Sequence, residues 1–180
     1  LGRFDEANAA FRDAATAAPR DVAIQAAWGA MFIDGRCRTC NADAVKSFQA
    51  ALKEDPKWTP ALLGVAQAIA DENPPQAVAS AKQALEVNPS YEPAHVFLAG
   101  EAADAGHRDE ARTSLAAALE VNPNSLDALA LLGGIAYVED KAQEFESHVQ
   151  QVLALSPRYG EVYRVAGEQE HAGQQHALRP

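Results

Sequence analysis

"ALEVNP" stands at residues 84–89, and the same six letters return at 118–123, 34 positions later. A hexapeptide returning inside 180 residues decides the reading of the whole chain, because self-similarity at a fixed period of some tens of residues marks a repeat architecture. Its proline extends the series in both directions. Pro19, Pro56, Pro89, Pro123 and Pro157 are spaced 37, 33, 34 and 34 apart. Proline cannot continue a helix interior, and it biases the residue before it away from the α region. Each one therefore ends a helix and sets the turn into the next.

Upstream of each proline lies one apolar stripe. Ala7, Phe11, Ala14 and Ala15 are followed by Ala44, Phe48, Ala51 and Leu52, then by Ala77, Ala81, Ala84 and Leu85. Ala111, Leu115, Ala118 and Leu119 come next, and Phe145, Val149, Val152 and Leu153 complete the series. Offsets of 0, 4, 7 and 8 share one face of an α-helix. Downstream of the prolines a second stripe runs at offsets 0, 3, 4 and 7: Gln25, Trp28, Gly29 and Phe32; Leu62, Val65, Ala66 and Ile69; His95, Leu98, Ala99 and Ala102. Leu129, Leu132, Gly133 and Ala136 follow, and Tyr163, Ala166, Gly167 and Glu170 close it imperfectly. The Gly or Ala in each set lets the paired helix approach closely. The pattern predicts ten helices and no strands. One class lies near 4–17, 42–54, 76–87, 108–121 and 141–155, the other near 22–33, 60–70, 92–103, 126–138 and 160–171.

These coupled positions resemble the tetratricopeptide repeat, a helix–turn–helix unit of about 34 residues. The clearest unit is "YEPAHVFLAGEAADAGHRDEARTSLAAALEVNP", and the resemblance covers essentially all 180 positions. It implies an all-α, right-handed α-solenoid of about ten helices, one array over 1–180 with repeat boundaries near 21, 58, 91, 125 and 159. Two departures stand out. Phe145 occupies a place where the pattern wants a small residue, so the last helix pair is expected to pack less closely. "ENPP" at 72–75 replaces the usual glycine-containing turn, and two prolines suit a stiff entry into the first turn of a helix. Both ends read as partial repeats, with Phe4, Phe11 and the apolar face of 160–171 short of partners; the expectation is an excerpt of a longer, bacterial-type array.

The resemblance further implies a protein-interaction scaffold without catalysis, whose first helices line a concave, peptide-binding groove. Carried over by position, the groove candidates are Ala26, Ala30, Leu63, Gln67, Val96, Gly100, Ala130, Gly134, Arg164 and Glu168, with Tyr137 reaching the same face. The lysine, arginine and asparagine clamp by which one subclass grips a C-terminal carboxylate is absent from these places, where Arg164 is the one cation. An apolar floor in a chain of net charge −10 suits a partner with apolar and basic character. Self-association through uncapped ends is a further expectation. The alternative is a recruiting or regulatory arm of a larger enzyme, for example a peptidase-like one, whose catalytic domain lies outside these residues.

Composition excludes several classes. Twenty-five acids against 15 bases repel phosphate backbones, which argues against a nucleic-acid partner. No stretch is long and apolar enough for a membrane span. There is no HExxH motif and no phosphate loop around Gly133 and Gly134, so neither a metal nor another cofactor is expected. "GRCRTCN" at 35–41 holds both cysteines. Cys37 and Cys40 have the spacing of a redox pair or half a metal site, and Asn41 as an N-cap with Arg36 and Arg38 nearby would favour thiolate at Cys40. Yet the excess over the period in the Pro19–Pro56 interval falls at these residues, which places them as an insertion in the turn within one repeat. A zinc site would need two more ligands.

Overall fold

The computed structural model describes residues 2–34, 40–160 and 163–168. Nine helices follow one another there: α1 (Gly2–Ala17), α2 (Val22–Asp34), α3 (Asn41–Glu54), α4 (Thr59–Ile69), α5 (Pro74–Val87), α6 (Glu92–Asp104), α7 (Arg108–Val121), α8 (Leu126–Val138) and α9 (Ala142–Leu155). A helical segment at 163–168, α10, comes last, and no strand occurs among the described residues. The first nine expected helices are therefore present, within two residues at their ends; of the tenth, expected near 160–171, residues 163–168 are helical, and 161–162 and 169–171 lie outside the described residues.

The proline punctuation works as its chemistry requires. Asp55, Asn88, Asn122 and Ser156, each directly before a proline, have φ between −132° and −144° and ψ between 92° and 97°. The proline ring forces that extended backbone, and each residue's N–H still bonds the carbonyl four back, as Asn88 does to Ala84 at 2.9 Å. At the other end of the hairpins, "ENPP" behaves as expected: Pro74 and Pro75 open α5, and the Asn73 side chain caps the Gln76 N–H. The α6–α7 and α8–α9 turns are both Schellman motifs. In the first, Gly106 has φ 79°, His107 N–H bonds Ala102 O at 2.8 Å and Gly106 N–H bonds Ala103 O at 2.9 Å. In the second, the left-handed position is held by Asp140 at φ 61°, a conformation where a Cβ is unfavourable.

Two compact units, Leu1–Pro89 and Ser90–Pro180, make up the chain. In the first, α2 packs on α3 and α4 on α5, with α3 against α4 and α2 beside α4. Its core gathers Phe32, Ala44, Phe48, Ala51 and Ala61, with Trp28, Trp58 and Phe4 packed around them. Phe4, expected to lack a partner, meets the Phe32 ring edge-on at 6.0 Å. Phe48 is the centre of this packing. A Cβ built on Gly29 of α2 would stand 2.8 Å from its ring, and one on Gly64 of α4 only 2.3 Å. The close approach expected at Gly29 is thus present, and Gly64 supplies a second one that the stripe did not mark.

In the second unit α6 packs on α7, α8 on α9, and α6 beside α8. The buried stripe of Ala111, Leu115 and Ala118 meets Ala99, Ala128 and Ile135, while Val149 and Val152 seal α8 to α9. Phe145 packs against this cluster. It is half-buried, with its ring 5.3 Å from Tyr137 and 6.4 Å from Tyr163. Gly167, expected to admit a paired helix, has nothing within 4 Å of where its Cβ would be. Directional bonds join the starts of successive first helices: Ser125, which also caps α8, donates to Glu92, and the Tyr159 hydroxyl donates to Asp127.

Candidate functional site

The groove candidates divide sharply by burial. Ala26, Leu63, Ala130 and Gly134 are buried, so they are packing positions whose side chains present no surface to a ligand. The physical reason is the width of the buried stripe: α4 and α8 are covered by neighbours on more than one side and bury six and eight residues respectively. Ala30, Val96 and Gly100 are half-exposed; Gln67, Tyr137, Arg164 and Glu168 are exposed. Within the first unit the surface of this set comprises Ala30 on α2 and Gln67 on α4. Within the second it comprises Val96 and Gly100 on α6, Tyr137 at the end of α8, and Arg164 and Glu168 on α10. A Cβ on Gly100 would meet open space. Arg164 is engaged rather than waiting for a carboxylate, since its guanidinium donates to Glu168. Glu170 lies outside the described residues.

Tyr137 is the distinctive member. It remains 45% exposed, and through Phe145 it is continuous with Tyr163, which is 56% exposed. Exposed tyrosines backed by a third ring give a rigid apolar surface carrying hydroxyls, the composition that interfaces favour.

A charged network lies in the same unit. Arg112 of α7 donates to Glu144 at 2.5 Å and to Glu139 at 2.7 Å, and Lys141 reaches Glu139 at 2.8 Å. Burial pulls Arg112 down, but its two carboxylate partners more than offset this and hold it above its ordinary value. Burial raises Glu139, yet the hydrogen bonds and charges of Lys141 and Arg112 leave it below the carboxylate range. Glu144 is lowered chiefly by its hydrogen bond from Arg112. His148, whose Nδ1 is buried without a partner, is pushed down by burial despite Glu144 at 3.8 Å. The network is a structural brace: it holds a single charge state through neutral pH and joins α7 to the α8–α9 hairpin.

Cys40 is disulfide-bonded, so it offers no thiolate. Cys37, with Arg36 and Arg38, lies outside the described residues. Asn41 is the first residue of α3 rather than its cap; Cys40 holds the cap position, with no side-chain cap bond. Among the described residues no group of three or more His, Cys, Asp or Glu is placed to hold a metal ion, and no helix is long and apolar enough to cross a membrane.

One cleft carries no motif that would announce it. About 250 Å³ of space opens between Asn8 of α1, Gln25 and Trp28 of α2, and Asp43, Lys46 and Ser47 of α3. Its signal in the sequence is Gln25, which holds the stripe position that Leu62 and Leu129 fill elsewhere. The Arg112 network has a fainter signal in the separation of 32 residues between Arg112 and Glu144, close to one period.

Residues 68–135 match the family profile of the tetratricopeptide repeat. Among solved structures, a thermophilic tetratricopeptide-repeat protein of Thermus thermophilus superposes with a TM-score of 0.78 at 20% identity, covering 94% of this chain and 91% of that one. MamA superposes with a TM-score of 0.64 at 19% identity over 89% and 92% of the two chains. YrrB, described as a tetratricopeptide-repeat protein with an unusual peptide-binding site, gives 0.60 at 17% over 91% and 83%. At these identities the likeness is one of fold, an α-solenoid. A search among curated proteins finds no match to the sequence.

Proposed function

We propose that this chain, whose residues 68–135 match the tetratricopeptide-repeat profile, is an interaction scaffold that binds a polypeptide segment along its first helices. The observation that carries the reading is the run of rings Tyr137–Phe145–Tyr163, whose two tyrosines are exposed, in the same unit as the half-exposed Val96 and Gly100. Small residues there let an extended or helical segment lie close to the backbone, and the tyrosines supply contact area at low entropic cost. Ala30 and Gln67 give the first unit a plainer surface of the same kind. A net charge of −10 selects for basic flanks through long-range attraction. No catalysis is assigned to the described residues.

The test is a fluorescence-anisotropy screen of the full chain against apolar peptides flanked by lysine or arginine, and against acid-flanked controls. Tyr137→Ala is expected to weaken binding by roughly tenfold or more, the loss typical of an interface anchor. Added salt should weaken it further. Equal binding of acid-flanked peptides, or full affinity in Tyr137→Ala with helicity unchanged, would refute the reading.

A further inference from the structure

Among the described residues, two buried side-chain nitrogens lack a hydrogen-bond partner: Trp58 Nε1 and His148 Nδ1. The indole keeps its proton at every accessible pH, but an imidazole changes charge near neutrality. His148 lies on α9 with its side chain 15% exposed. Its Nε2 stands 3.8 Å from Glu144 Oε1, one turn back, and the same oxygen accepts from Arg112 of α7 at 2.5 Å. Two more charges complete this corner. Glu139, at the end of α8, also accepts from Arg112, and Lys141 of the α8–α9 turn reaches Glu139 at 2.8 Å and Glu144 at 4.0 Å. On α10, whose Tyr163 meets Phe145, Arg164 and Glu168 pair with each other. Burial above all keeps the His148 ring neutral; Glu144 opposes that effect and Arg112 assists it.

The neutral ring suits this corner with its proton on Nε2, toward Glu144, and only the lone pair of Nδ1 unused. Protonation turns Nδ1 into a buried donor on a charged ring with no acceptor opposite it, a costlier arrangement than an idle lone pair. Nε2–H then competes with Arg112 for one carboxylate oxygen. The residues one turn back on α9 are Glu144 and Phe145, four and three positions before His148. Phe145 in turn holds its ring 5.3 Å from Tyr137 and 6.4 Å from Tyr163. A displacement of that turn therefore reaches the exposed tyrosines.

We propose that His148 is a pH-sensitive latch on the tyrosine surface: the protonated ring swings out to solvent, the first turn of α9 shifts with it, and Phe145 withdraws from Tyr137 and Tyr163. The latch rests on the scaffold reading only in taking that surface to be the one that binds. Affinity then follows the neutral fraction of His148. One pH unit below its midpoint about a tenth of the molecules keep the neutral ring, so binding weakens about tenfold.

The experiment titrates the free, full chain from pH 7 downward and follows the His148 ring and the rings of Tyr137, Phe145 and Tyr163 by two-dimensional NMR. Expected are tyrosine shifts that share the midpoint of His148, below the ordinary 6.5, with loss of the Phe145–Tyr137 cross-relaxation peaks. His148→Gln, polar but uncharged, should hold both constant over the same range. A His148 that stays neutral until the chain unfolds, tyrosine rings that do not move at its midpoint, Phe145–Tyr137 peaks that persist through it, or the same titration in His148→Gln would overturn the inference. Should His148→Gln fold poorly, the coincidence of midpoints in the unaltered chain decides alone. The lysine-flanked peptides of the anisotropy screen should lose about tenfold in affinity one unit below the midpoint. A peptide weakened by Tyr137→Ala but indifferent to that change of pH would equally refute the latch. Because the ring measurement needs no peptide, failure of the scaffold reading leaves it decisive, and a failed latch leaves the Tyr137 result standing.

Discussion

Two glycines in equivalent helices should answer the same substitution with opposite signs. In Gly64→Ala the new methyl would stand 2.3 Å from two carbons of the Phe48 ring and 2.6 Å from a third. Ordinary contact begins near 3.4 Å, so the ring must withdraw by about 1 Å. It has nowhere to go: Phe48 is 2% exposed, and the same ring edge already lies close to Gly29 on α2. Overpacking of this kind costs about 1–3 kcal/mol, while alanine's helix propensity returns about 1 kcal/mol, leaving a net loss of up to about 2 kcal/mol. In Gly100→Ala the methyl enters open space on α6, and only the propensity gain of about 1 kcal/mol remains. Urea unfolding followed by circular dichroism measures both. A wedge of this kind also requires that Phe48→Leu, which costs stability alone, relieve the Gly64→Ala defect in a double-mutant cycle, with a coupling of at least about 0.5 kcal/mol. A stabilised Gly64→Ala, or additive single mutants, would refute it.

Two further outcomes are expected. Asp140→Gly should raise stability by about 1 kcal/mol, since the left-handed turn costs an L-residue roughly that much and glycine nothing comparable; a fall in the thermal midpoint would contradict it. His148 has a folded pKa lowered by burial, so its contribution is complete above the ordinary value of 6.5 and is lost as pH falls through the folded value; Glu139 and Glu144, lowered from 4.5, add a second loss at more acid pH. Urea midpoints from pH 7 downward should show both phases in the unaltered chain and only the second in His148→Gln, and identical slopes would exclude the histidine.

The helices were legible because proline spacing and a stripe of Ala, Phe, Leu and Val repeat with the same phase in every unit. What could not be read was depth. Leu63 and Ala130 sit where a simple helical wheel faces outward, but α4 and α8 are enclosed by three neighbours each, and only the packed structure shows them buried. Gly64 was missed for a related reason, since its role depends on a ring arriving from α3. Tyr137 was placed by its angle on α8, while its partners Phe145 and Tyr163 come from helices that the same angle does not specify. Asp140 follows a rule of the turn, and the turn admits an exception that composition alone does not reveal.

The bonds from Ser125 to Glu92 and from Tyr159 to Asp127 bear on how the second unit holds its register. Faces made of alanine are smooth, and two such helices can slide past each other by a fraction of a turn at small cost. A hydrogen bond cannot follow that slide, because its strength falls steeply with misalignment. These two pegs therefore index each first helix against the next, one near its start and the other one repeat further on. Removing them would leave the core as oily as before but the helices free to shear, and any ligand reading several helices at once would lose its ruler.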